Sequence, residues 1–95
     1  MQKLFVVHDS KGEFYGTPQV HRSKGDAIRA FEQSCKRADS MLAQYPSDYT
    51  LVSLGTYDEN SGEIKPTSPQ IIINAAEFGN KEDSNNQPLG LAQPE

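Results

Sequence analysis

Ninety-five residues with net charge −4, 35% hydrophobic residues and a mean hydropathy of −0.70 make one small domain with little core to share. A single cysteine, Cys35, excludes an intramolecular disulfide and a cysteine metal cluster, and no apolar run approaches the roughly 20 residues of a membrane-spanning helix. Residues 1–37 hold seven Lys/Arg against four acids, net +3, and residues 38–95 hold two Lys against nine acids, net −7; this balance disfavours general binding to phosphate backbones.

The first element is Lys3–Asp9, where Leu, Phe and two valines in a short run favour a strand over a helix. Leu4 and Val6 face one side and Phe5 and Val7 the other, so the strand is expected to be central and covered twice, once by a helix and once by a partner subunit. Its apolar run is too short for the core of a signal peptide, and a reduced cytosolic protein is expected. Ser10–Glu13 reads as a turn. Phe14–His21 is a weaker strand with Gly16 and Pro18 inside it, hence an edge strand or extended loop.

Ser23 opens the clearest helix, with Asp26 three residues on in the manner of a capping box. Ala27, Ile28, Phe31, Cys35 and Ala38 form one apolar stripe. The helix is expected from Lys24 to about Ala38, with a further turn through Ser40–Gln44 before Pro46 forces an exit. Tyr49–Tyr57 is the strongest strand. Asp58–Gly62 is a hairpin loop and Glu63–Lys65 the returning strand. Pro66 and Pro69 bracket a break. Ile71–Ile73 is a short apolar run that leads into Ala75–Phe78, one helical turn or a last strand. Residues 79–95 have the composition of a disordered tail.

No arrangement of these residues suggests catalysis, and no enzyme activity, metal or cofactor is expected. His8 and His21 would meet if the first two strands paired, but their spacing matches no zinc motif. Cys35 lies on the apolar stripe and reads as a core residue. Asp58, Glu59 and Glu63 read as turn chemistry, too short for a calcium loop. The best functional constellation is distributed: Lys3, Lys11, Arg22, Lys24, Arg29 and Lys36 with Phe14 and Tyr15, the cations and aromatic platforms that a single-stranded DNA binder combines. Pairing of Asp26 with Arg29 and of Glu32 with Lys36 along the helix surface is the competing explanation for two of these cations. Phe5, Val7, Ile71, Ile72 and Ile73 are the candidates for an oligomer interface.

Three segments carry a resemblance: L-F-V-V-H-D at Leu4–Asp9, D-A-I-R-A-F at Asp26–Phe31, and P-S-D-Y-T-L-V-S-L-G-T-Y-D-E-N-S-G-E-I at Pro46–Ile64. Over about Leu4–Phe78 the chain resembles the small non-structural proteins of gokushovirus-type Microviridae, bacteriophages with single-stranded DNA genomes. The resemblance implies an early, non-virion protein of the host bacterial cytoplasm. It implies a role in viral DNA replication, in the passage from duplex replication to single-strand synthesis. Some family members are labelled DNA-binding, and the family brings no catalytic residues. Three functions follow as expectations. The first is a non-enzymatic adaptor, a homodimer, that binds phage or host replication proteins through an apolar sheet face. The second is a single-stranded DNA-binding protein that uses the basic N-terminal half. The third is an inhibitor of a host protein.

The expected architecture is α+β: residues 1–78 form one domain with a small antiparallel sheet and one main α-helix packed on one face, and residues 79–95 form the tail.

Overall fold

The computed structural model describes residues 1–78, and the expected tail lies outside them. Strands β1 (Gln2–Asp9), β2 (Phe14–Tyr15) and β3 (Gln19–His21) precede helix α1 (Lys24–Cys35). The short helix α2 (Met41–Gln44) and a 3₁₀ turn at Pro46–Asp48 lead into β4 (Tyr49–Tyr57) and β5 (Ile64–Asn74). All pairings are antiparallel, in the order β2-β1-β4-β5, with β3 beside β2 on the same edge of β1. This is the α+β arrangement expected from the sequence, with one main helix on one face.

Serine sets both helix starts. Ser23 is extended (φ −147°, ψ 163°), and its Oγ accepts from the Asp26 amide at 3.1 Å. Ala27, Phe31 and Cys35 then recur every four residues as a buried stripe. The helix ends three residues before the expected Ala38. Ser40 Oγ lies 2.9 Å from the carbonyls of both Ser34 and Arg37 and accepts from the Ala43 amide at 3.1 Å. One hydroxyl thus closes α1 and caps α2, so Ser40–Gln44 becomes a separate helix rather than a continuation.

The core lies between α1 and one face of the central strands. Phe5 and Leu51 from the sheet meet Ala27, Phe31 and Cys35 from the helix, and Ala75 and Phe78 close the far side. Phe31 and Phe78 meet edge to face at 5.9 Å. Each large apolar side chain buried here contributes about 1.5–3 kcal/mol. Cys35 shares this burial, which pushes its thiol up to about 11, with the Glu32 carboxylate adding to the shift.

The C-terminal half differs most from expectation. Glu63–Lys65 is not a short strand followed by a break; β5 runs for 11 residues through Pro66 and Pro69 and includes Ile71–Ile73. It tolerates the prolines because it is an edge strand. Its register slips where Thr67, Ser68 and Pro69 lie opposite Leu54, between the pairs Ser53↔Gln70 and Gly55↔Pro66. Phe14–His21 is likewise two short edge strands, parted at residues 16–18. Residues 76–78 form a helical turn.

Gly55 makes the irregular β4–β5 contact possible. Its φ is +149°, and a Cβ there would run into the Lys65 carbonyl oxygen and stand 2.9 Å from Pro66 Cα. Gly62, in the hairpin loop, has φ +79° and open space around its Cβ position. Gly62→Ala therefore meets only backbone strain and is expected to cost about 1 kcal/mol. Gly55→Ala adds a backbone collision and is expected to cost about 3 kcal/mol or more. Urea unfolding of the two variants beside the parent checks this order, and equal costs would contradict it.

Candidate functional site

The six candidate cations do not converge. The pair Lys3↔His21 brings Lys3 beside the end of β3, where Arg22 and Lys24 follow, so these three share one end of the sheet. Lys11 belongs to the β1–β2 turn at the opposite end, about 20 Å away along β1. Arg29 and Lys36 lie on the exposed side of α1, facing Asp26 at 4.0 Å and Glu32 at 3.2 Å. Both are helix-surface pairs of the kind that contributes little to stability. Phe14 and Tyr15, both more than half exposed, stand with Lys11 at the far end from Lys3, Arg22 and Lys24.

The oligomer-interface candidates are redistributed by the alternation of β1. Phe5 is 2% exposed and sits under the helix, and Val7 packs against the same cluster. Ile72 and Ile73 also pack there. Phe5 is buried in the core, and Val7, Ile72 and Ile73 are half-buried against it. Ile71 alone of the five is open, at 79% exposure. The two histidines part in the same way. His8 stands on the open face, 4.4 Å from the Tyr15 ring, and His21 lies 5.9 Å from Phe5 on the helix side. Among the described residues no group of three or more His, Cys, Asp or Glu is placed to hold a metal ion. The acids of the β4–β5 loop take part in its turn: Asp58 Oδ1 accepts from the Asn60 amide at 2.9 Å, which holds its carboxyl below the usual range. Glu59 meets the N-terminal ammonium at 3.2 Å.

Two other surfaces have a defined shape. The first is a cleft of about 370 Å³ between the β1–β2 turn and α2. Met41 and Tyr45, each 53% exposed, give it an apolar wall with Tyr49. Asp9, Lys11 and Asp48 supply charge of both signs at its rim. Its walls are tied together. Asp9 Oδ1 accepts from the Lys11 and Gly12 amides at 3.0 Å, and the Ser10 amide donates to the Asp48 carbonyl at 2.9 Å. The Tyr49 phenol is raised above its ordinary value by burial and by the Asp9 carboxylate, to which it hydrogen-bonds. Met41 and Tyr45 are not among the candidates drawn from the sequence; Met41 opens α2 and Tyr45 follows its last residue, and their i, i+4 spacing was the available signal.

The second surface is the sheet face opposite α1. There Val6 and Val52 are paired and buried, flanked by His8, Tyr15, Thr50, Pro69 and Ile71.

The buried thiol gives a direct check on the site next to Glu32. Cys35 is expected to resist alkylation at neutral pH in the folded protein and to react freely in urea. Because folding raises its proton affinity, the folded state is expected to lose stability as pH rises from 9 towards 11, where the unfolded chain ionises first. A pH series of urea melts compared with Cys35→Ala reads this loss, and identical pH slopes for the two proteins would contradict it.

No helix among the described residues is long and apolar enough to cross a membrane. No curated protein and no solved structure matches the chain. A family model, that of the Phage ORF5 protein, does match, and it covers residues 2–78, from the first strand through the closing turn of the core. The chain belongs to the Phage ORF5 protein family.

Proposed function

We propose that this phage protein is a non-enzymatic adaptor that engages replication proteins during single-stranded DNA genome replication. The resemblance of Leu4–Asp9, Asp26–Phe31 and Pro46–Ile64 to gokushovirus non-structural proteins supports the replication setting, in the host cytoplasm and outside the virion. The observation that carries the adaptor reading is the cleft beside α2. Its volume of about 370 Å³ lies in the range of specific ligand sites. Its wall of Met41 and Tyr45 is suited to an apolar side chain of a protein partner, and Lys11 and Asp48 can set the orientation of that partner's charges. The loop walls are already fixed by hydrogen bonds, so binding loses little to ordering.

Direct binding of single-stranded DNA through the basic N-terminal half is the second reading. It needs a continuous cationic track with aromatic platforms along it. The spread of the six cations over three places, two of them facing acids on α1, weighs against such a track. Inhibition of a host protein would use the same cleft with a different partner.

Titration of the fluorescently labelled protein with the purified phage replication initiator, and separately with a single-stranded oligonucleotide at low and moderate salt, tests the choice. The adaptor reading expects saturable binding to the initiator, weakened about tenfold or more by Tyr45→Ala, with no salt-sensitive DNA binding. Tight oligonucleotide binding that collapses with salt and with Arg22→Glu plus Arg29→Glu would replace it with the DNA reading.

A further inference from the structure

From the sheet face opposite α1 we infer that two copies of this chain associate face to face, around a two-fold axis, with Ile71 of each seated in the groove of the other. This surface is separate from the cleft beside α2, so the inference stands apart from the adaptor reading.

The face is uncharged. Strand register puts Gln2, Leu4, Val6 and His8 of β1 on it. Opposite them stand Tyr15 and Val20 on one side and Thr50, Val52, Gly55 and Tyr57 on the other. β5 adds Ile64, Pro66, Ile71 and Asn74. None of these positions is Lys, Arg, Asp or Glu. A chain of net charge −4 that meets a copy of itself must avoid like charge at the contact, and this face does so. The same neutrality offers nothing to a phosphate backbone.

The face also carries a projection and a recess of matching chemistry. Ile71 is 79% exposed although it lies in a strand. Ile71 is itself one wall of a groove of about 250 Å³, which Val52, Thr50, Pro69 and the His8–Tyr15 ring pair complete. A knob and a hole on one surface are what an isologous two-fold contact requires, since each copy supplies both. Four strands abreast at about 4.8 Å and eight residues at about 3.3 Å give a flat footprint of about 500 Å². Val6 and Val52 at its centre are already buried within the chain, so the area to be covered is carried by Tyr15, Val20, Ile64 and Ile71 around them. A contact below the roughly 800 Å² per partner of standard interfaces makes a dimer that dissociates in the micromolar range. Pairing through the β5 edge is the less suitable route, because Pro66 and Pro69 donate no hydrogen bonds and the register slip bends the strand.

Sedimentation equilibrium of the full chain across the micromolar range tests the inference. The parent is expected to be a dimer. Ile71→Asp removes two knobs per dimer and is expected to raise the dissociation constant about 100-fold or more. Tyr15→Ser, which opens the groove wall, is expected to weaken the dimer as well. Arg29→Glu, on the outer side of α1, is expected to leave it intact. Circular dichroism of each variant separates loss of association from loss of folding. A monomeric parent would overturn the inference, and if Ile71→Asp then weakened binding to the replication initiator, the face would belong to that partner instead. A dimer that survives both Ile71→Asp and Tyr15→Ser with folding intact would overturn it equally.

Discussion

The packing of one 12-residue helix against one face of the β1–β4 pair is the constraint on which the molecule depends. α1 covers Phe5 and Leu51, with Val7, Ile72 and Ile73 at the margin of the same cluster. Ala27, buried at 1% exposure, lets the helix approach the sheet closely, and Phe31 fills the space between. The stripe is completed late in the chain, by Ala75 and Phe78, so the core joins residues more than 70 positions apart. The Ala75 amide donates to the Tyr49 carbonyl at 2.9 Å, and Asn74 Nδ2 donates to Thr50 Oγ1 at 2.9 Å and to the Ser47 carbonyl at 3.1 Å. These bonds hold the end of β5 to the start of β4 and bring Phe78 back over Phe31. A domain of this size has few other sources of stability.

The same constraint decides what the other face can be. A strand pair puts every second residue on the side away from the helix. In β1 and β4 those residues include Leu4, Val6 and Val52, which a solvated face would usually replace with polar side chains. The charged strand residues are Lys3, Asp9 and Lys65, which register places on the helix side, and the other charges of residues 1–78 stand at turns, on helices and in loops. The sheet face away from α1 is therefore uncharged. The edge strand β5 shows a complementary pattern. Its prolines and slipped register block extension of the sheet at its free edge, while Ile71 is left exposed on the face. An edge guarded in this way leaves the face as the surface that the proposed dimer would use.

Local signals in the sequence were legible wherever a short-range rule decided the outcome. Ser23 and the Ala27–Phe31–Cys35 spacing located α1, and Tyr49–Tyr57, the strongest strand signal in the chain, is β4. The α+β class followed from those two elements and the N-terminal strand. The longer-range features were hidden for definite reasons. Alternation in Leu4–Val7 divides the residues into two sets correctly, but both sets are apolar, so it does not say which set the helix takes. The helix took Phe5 and Val7, which places these two interface candidates with the core and leaves Ile71 exposed. The β5 strand was hidden by Pro66 and Pro69, which end a central strand but not an edge strand, and edge position is a tertiary fact. The stop of α1 before Ala38 depends on the Ser40 hydroxyl reaching the Ser34 carbonyl, six residues back, which no helical periodicity encodes. The cations formed a set only by type. Their separation follows from the antiparallel path that sends Lys3 and Lys11 to opposite ends of β1.

The two surfaces share their support. Asp9 and Tyr49, at the cleft, are paired neighbours in β1 and β4, and the adjoining pair His8↔Thr50 points into the groove on the other face. One rigid stretch of ladder thus carries a wall of each. A face-to-face dimer would leave both clefts open, since each lies at the strand ends beside α2 rather than on the contact face. Such a dimer would present two identical peptide-sized sites on a fixed frame. For a partner that is itself oligomeric, or that offers two copies of a motif, the second contact becomes intramolecular and overall affinity exceeds that of either cleft alone by a factor set by their spacing. Weak individual clefts would then suffice for a small acidic chain to hold a replication assembly together, with no basic groove needed to reach the DNA.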